Sequence, residues 1–328
     1  GTLLAYRYRK ELKVELRDNS GYFLMVELLV LAFFAAFLLV RIGNPDLWHP
    51  WKGGEKPMDF AYFNAVLKST TFPPFDPWFA GGYLHYYYYG FVLTGVLVKW
   101  LGITPSIAYN LILPTIFSMI AMGAFSLAWN LYSSIHKRQQ IPGGGSSQTL
   151  EDRHFQSRAL KPQPIWVGLA GAFAMAVLGN LGAVRMILVG YQRLVAPGGI
   201  IEGKSLLTRG LWTVQGFIQS ITGASLPYGI GDWYWLPSRI IPAQGDVEPI
   251  TEFPYFTVLY GDPHAHLFAL PISLLVLTLC LAFVLSKTRW ANRLGIIAIF
   301  VLSALSIGAL RPTNTADFYP YLILGAIC

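Results

Sequence analysis

Gly21-Tyr-Phe-Leu-Met-Val-Glu-Leu-Leu-Val-Leu-Ala-Phe-Phe-Ala-Ala-Phe-Leu-Leu-Val40 holds one charged residue, Glu27, in an otherwise apolar run. As a helix it is about 30 Å long, the thickness of a bilayer's hydrocarbon core. Similar runs cover Tyr86–Leu101, Ile107–Tyr132, Ile165–Val189, His266–Ser286 and Leu294–Leu310, and a seventh begins near Phe318. The 328 residues are 54% apolar and 12% charged, about half the charge of a soluble domain. A mean hydropathy of +0.47 excludes disordered, fibrous and ordinary cytosolic classes. What remains is an all-α, polytopic transmembrane helix bundle, integral to the membrane and multi-pass.

The few charges then fix orientation. Arg7, Arg9, Lys10, Lys13 and Arg17 precede the first run, so residues 1–20 read as a basic cytoplasmic segment. The net charge of +7 needs no nucleic acid. Residues 21–328 read as one transmembrane domain. It has external loops at 41–85 and about 226–263, and a flexible connector at 133–164 that contains Pro142-Gly-Gly-Gly-Ser-Ser147. The chain starts without Met and stops inside an apolar run, so it is expected to be a piece of a longer protein. Strict alternation of six spans puts the connector outside, although Lys137, Arg138, Arg153, Arg158 and Lys161 favour the inside, as do Lys287, Arg289 and Arg293. A hidden crossing at Ser205–Ala224 would reconcile the two. Cys280 and Cys328 lie in apolar stretches and imply neither a disulfide nor a cysteine metal site.

Four polar blocks interrupt the apolar runs. Gly53-Gly-Glu-Lys-Pro-Met-Asp59 allows a sharp turn and then a helix from Pro57 to about Ser69, with Asp59 in its first turn. Met58, Ala61, Tyr62, Ala65 and Val66 recur at helical spacing, which suits a surface-lying amphipathic helix in the first external loop. Glu55 and Asp59 are either an acid/base pair or metal ligands, or else solvated charges capping that helix. Thr71-Phe-Pro-Pro-Phe-Asp-Pro-Trp78 leads into Gly81-Gly-Tyr-Leu-His-Tyr-Tyr-Tyr-Tyr-Gly90. Its tyrosines form an interfacial belt or a stacking platform for a sugar or lipid head. In Glu252-Phe-Pro and Tyr260-Gly-Asp-Pro-His-Ala-His266, Asp262 and Pro263 read as an N-cap and first turn. His264 and His266 read as metal ligands, proton donors or structural residues. Arg311-Pro-Thr-Asn-Thr-Ala-Asp317 suits phosphate or sugar contacts, or a short solvated loop. Gly198–Ser205 fits the P-loop pattern letter for letter, but what precedes it reads as a membrane helix and not the strand a P-loop needs.

These blocks, in this order and with Pro237-Ser-Arg239-Ile among them, resemble the YYY family of uncharacterised prokaryotic membrane proteins, from about Leu47 to the end. His85, Pro263, Ala265 and Ala316 depart from the family's usual residues. That family is in turn similar in layout to the GT-C glycosyltransferases, which carry a catalytic carboxylate in the first external loop and use a polyprenyl-phosphate-linked sugar donor. The resemblance implies a GT-C-like bundle in a prokaryotic cytoplasmic membrane. Its chemistry would be sugar transfer at the extracytoplasmic face, with membrane lipids and the donor as partners.

On this reading Glu55, Asp59, His264 and His266 are catalytic. Lys56, Asp76, His85, Tyr86, Tyr87, Tyr88, Tyr89, Arg239, Glu252, Arg311, Asn314 and Asp317 contact substrate, with Arg239 and Arg311 on the phosphate. Asp59, Asp262 and His264 would ligate a divalent metal, Mg or Mn. A non-catalytic subunit among other membrane subunits is the alternative. A transporter fits less well, because Glu27 and Arg185 are the main charges inside spans.

Overall fold

In the computed structural model the described residues are 2–48, 54–139, 162–245, 249–285 and 293–328. Their regular structure is helical, with one isolated bridge between Phe75 and Tyr83. The helices are α1 (Thr2–Arg7), α2 (Arg9–Asp18), α3 (Ser20–Gly43), α4 (Lys56–Lys68), α5 (Tyr89–Leu101), α6 (Pro105–Gln139) and α7 (Pro162–Phe173). After a π-helical turn, Ala174–Leu178, come α8 (Gly182–Val195), α9 (Leu206–Ile221), α10 (Asp232–Trp235) and α11 (Pro254–Tyr260). The last are α12 (Ala265–Leu285), α13 (Arg293–Thr313) and α14 (Thr315–Ile327). The chain divides into two compact units, Gly1–Met175 with Gly261–Cys328, and Ala176–Tyr260. Most of the connector lies outside the described residues, as do Lys287 and Arg289.

Among the described residues four helices are long and apolar enough to cross a membrane: Ser20–Gly43, Pro105–Ile135, Ala265–Leu285 and Leu294–Thr313. Ile165–Leu178 and Gly182–Val195 are apolar enough together but bend by 77° at their break, as a broken span or a re-entrant loop would. In the first unit, small residues let these helices approach closely, as bilayer packing favours. A Cβ on Gly171 of α7 would stand 2.6 Å from the Ala128 Cβ of α6, and one on Gly123 of α6 would stand 2.9 Å from Leu274 of α12. Ala269, Val276 and Leu310 form a buried cluster joined by Ile307, Phe318 and Tyr321, which draws α13 and α14 onto α12.

The expected span Tyr86–Leu101 is not a crossing. Only Tyr89–Leu101 is helical, 13 residues or about 20 Å, and Gly102 ends it in a left-handed turn at φ +67°. More decisively, α3 ends where α6 and α12 begin. The Arg41 side chain in the last turn of α3 donates from Nε (3.0 Å) and Nη2 (2.6 Å) to Asn110 Oδ1 in the second turn of α6. Tyr109 Oη donates to the Gly261 carbonyl, just before α12, at 2.9 Å. A crossing between α3 and α6 would put those ends on opposite faces. Without it, the chain leaving α6 returns to the side of the basic N-terminal segment, and the topology conflict disappears. The hidden crossing is also unneeded: α9 has 16 residues, about 24 Å, short of a hydrocarbon core.

Candidate functional site

The site is built where those three helix ends meet the start of α4. Gly54 takes φ +60°, Pro57 occupies the first turn, and the Asp59 N–H donates to the Glu55 carbonyl at 2.9 Å. Helical spacing then puts Lys56, Asp59, Phe63 and Val66 on one face, and all four are buried. So Asp59, 0% exposed, is not a solvated charge on a surface-lying helix. Phe63 packs on Phe91 of α5, and Phe60 sits edge-on to Tyr109 of α6. The Tyr109 phenol lies within electrostatic reach of both Asp59 and Asp262.

Asp262 does not cap its own helix. α12 starts only at Ala265, and the Asp262 carboxylate turns to α4, where Oδ2 accepts the Glu55 N–H at 3.1 Å. The donor it satisfies stands at a helix N-terminus, where an anion is favoured. Glycine is required just before it: Gly261 has φ +84°, and a Cβ there would stand 3.2 Å from both Arg41 Nη1 and Lys56 Cδ. Lys56, expected to contact substrate, is instead buried and paired to Asp46 at 3.0 Å. Asn110 Nδ2 donates to the carbonyls of Pro45 and Ser106.

The cluster opens at Glu55. Its side chain is 56% exposed, and Oε2 lies 3.6 Å from Nδ1 of His264, which is 13% exposed. That is ion-pair range but longer than a hydrogen bond. His264 precedes α12 while His266 is within its first turn, so the two rings stand 5.9 Å apart with an angle of 30° between them.

The aromatic segment folds back on itself beside α4. The Asp76 N–H donates to the Gly82 carbonyl and the Leu84 N–H to the Pro74 carbonyl, both at 2.9 Å, and Phe75 stacks on Tyr83. Asp76 Oδ1 accepts the Trp78 N–H at 2.8 Å, a local turn. Tyr86 and Tyr87 are exposed, Tyr88 stacks on Phe72, and only Tyr89 enters the helix. Tyr86 approaches Tyr62 of α4 at 6.0 Å. Burial pushes the Tyr62 phenol above its ordinary pKa of 10.0, and the carboxylates of Asp76, Asp59 and Glu55 push it further. Tyr62 therefore links the aromatic segment to the acidic cluster.

The chain belongs to the family of uncharacterized membrane proteins DUF2298, which it matches over residues 1–328. No curated protein and no solved structure matches it.

Not every polar block of this DUF2298 chain joins the cluster. Arg311 is exposed, and its guanidinium forms no hydrogen bond or ion pair among the described residues. Asn314 Nδ2 donates to Asp317 Oδ2 at 2.9 Å, closing that block on itself at the start of α14. Arg239 and Glu252 belong to the second unit. There the Arg239 guanidinium lies 3.9 Å over the Trp235 ring and donates to Ser238, while Glu252 accepts from Thr257. His85 is exposed on the aromatic segment. Gly198–Ser205 follows helix α8, and Ser205 Oγ accepts the Thr208 N–H to cap α9.

The metal set Asp59, Asp262 and His264 is not assembled. Among the described residues no three His, Cys, Asp or Glu side chains are placed to hold one ion. The residues missed in the sequence are Arg41, Asp46, Tyr109 and Asn110. Arg41 at the end of a span is normally read as an interfacial anchor, and the other three carry no local motif.

Proposed function

We propose that this cluster is the active centre of a membrane glycosyltransferase that takes a sugar from a polyprenyl-phosphate-linked donor at the extracytoplasmic face. The observation that carries the reading is the hydrogen bond between Glu55 and Asp262, 207 residues apart, which joins the two acidic blocks and sets Glu55 beside His264. The positive-inside rule assigns this end of α3 to the external side. Paired titratable groups, one exposed and one half-hidden, suit acid–base chemistry.

Burial divides the roles. Glu55 is open and takes the proton of the acceptor hydroxyl as that oxygen bonds to the anomeric carbon. The bond from that carbon to the phosphate oxygen breaks, and its electron pair leaves with the lipid phosphate. His264 and His266, when protonated, offset the charge left there. Asp59 is too buried to touch the acceptor and is a positioning residue. Tyr86 and Tyr87 offer exposed ring faces to the sugar.

The test is release of polyprenyl phosphate from labelled polyprenyl-phosphate sugars by the protein reconstituted in lipid. Glu55→Gln should lower the rate by about 10²-fold or more. Asp59→Asn should abolish transfer while expression is retained. Wild-type rates in both variants overturn the proposal. The buried ties of Arg41 to Asn110 and Lys56 to Asp46 favour a second reading, a non-catalytic subunit of a membrane assembly. Under it Glu55→Gln and His264→Ala leave expression and assembly unchanged.

A further inference from the structure

The second unit carries a helix, α9, whose apolar face is largely exposed, with Phe217 at its border set edge-on to the Tyr191 ring of α8 at 5.7 Å. In α9, Leu207, Leu211, Val214, Ile218 and Ile221 are between 55% and 77% exposed. With Leu206 and Phe217 they cover a sector of about 140° at about 100° per residue. The opposite side is fixed to α8. Gln192 Nε2 donates to Thr213 Oγ1 and Gln192 Oε1 accepts from Arg209 Nε, each at 3.0 Å. Gly216 lies against the Tyr191 carbonyl, where any Cβ would clash. Thr208, Gln215 and Gln219 fall between the two faces.

We infer that α9 docks flat in the bilayer's headgroup–acyl boundary, with its Leu207–Ile221 stripe in the lipid and its glutamines towards water. Three observations select lipid as the occupant. The helix is about 24 Å long and cannot cross the core. Its partner α8 is the second half of a bent apolar pair, a broken span or a re-entrant loop, and exposes Val184 and Leu188 with Leu181 just before it, so the medium around α8 also borders α9. The apolar sector is wider than the two-position seam of a helix–helix pair, and the same unit exposes Trp233 and Trp235, residues typical of the boundary.

The test uses the full chain with Cys280 and Cys328 replaced by Ser, reconstituted in phosphatidylethanolamine–phosphatidylglycerol vesicles. Single cysteines at Leu207, Leu211, Val214 and Ile218, and at Gln215 and Gln219, carry nitroxide labels. Collisions with oxygen and with a water-soluble nickel chelate report depth. The stripe labels should sit at one shallow depth, with an oxygen-to-nickel accessibility ratio several-fold above that of the glutamine labels. Depth that changes steadily from Leu207 to Ile218 would mean a crossing. Spin–spin broadening at the stripe would mean a second copy, and equal nickel access at all six positions would mean water. Each of these three outcomes overturns the inference. All six side chains are exposed, so labelling spares the α8 contacts.

Discussion

Two blocks look alike in the sequence and behave differently in the fold. Gly53–Asp59 and Arg311–Asp317 each pack Pro, a cation and a carboxylate between apolar runs. The first reaches across the chain, with Lys56 on Asp46, the Glu55 N–H on Asp262, and Glu55 beside His264. The second closes on itself through Asn314 and Asp317 and leaves Arg311 exposed. A short polar block therefore marks a helix break, while contacts of long range are what make one of them a candidate site.

The largest difference is expected between the two arginines. Arg41→Ala removes the donors on Asn110 Oδ1 from a buried position and should cost about 3 kcal/mol, read as thermal unfolding in detergent. Arg311→Ala should change stability by less than about 0.5 kcal/mol. Equal losses would erase the distinction drawn between the two blocks.

A smaller contrast comes from two glycines. Gly261→Ala forces a side chain into a left-handed backbone against Arg41 and Lys56, at a cost of about 1–2 kcal/mol. Gly308→Ala in α13 meets nothing within 4 Å and should stabilise by about 0.5–1 kcal/mol. Opposite signs in a melting experiment are the expected result.

The sequence made α3, α6, α12 and α13 legible because a bilayer demands long apolar helices. α5 misled for the same reason. Its apolar run is ended by Gly102, and a bend that returns the chain to the same side has no hydropathy signature. The acids and histidines stood out by their clustering. Their partners Asp46, Tyr109 and Asn110 did not, since each is a single polar residue whose role depends on another helix. The Asp262 carboxylate illustrates this best: its local pattern reads as a cap for α12, yet tertiary contact gives it to α4.

The smallest effect concerns Tyr62, which distinguishes an acidic cluster from a merely buried one. Its raised pKa means that above pH 10.0, the ordinary value, the unfolded chain loses a proton that the folded chain keeps. The stability Tyr62 contributes is thus fully present below pH 10.0 and is lost as pH rises through the folded value. Phenolate absorbance should show a late-titrating tyrosine that Tyr62→Phe removes and that Asp76→Asn shifts back towards the ordinary value. An unchanged titration in Tyr62→Phe would contradict the assignment.

The central claim, that the first loop closes on the start of α12, has a direct test. Glu55→Cys and His264→Cys are combined in a chain lacking Cys280 and Cys328, with a protease site inserted in the run Pro142–Ser147, and treated in lipid with a short thiol-bridging reagent. The two halves should stay joined after cleavage and separate when either cysteine is omitted. Separation of the halves in the double variant, with the protein still folded, would contradict it.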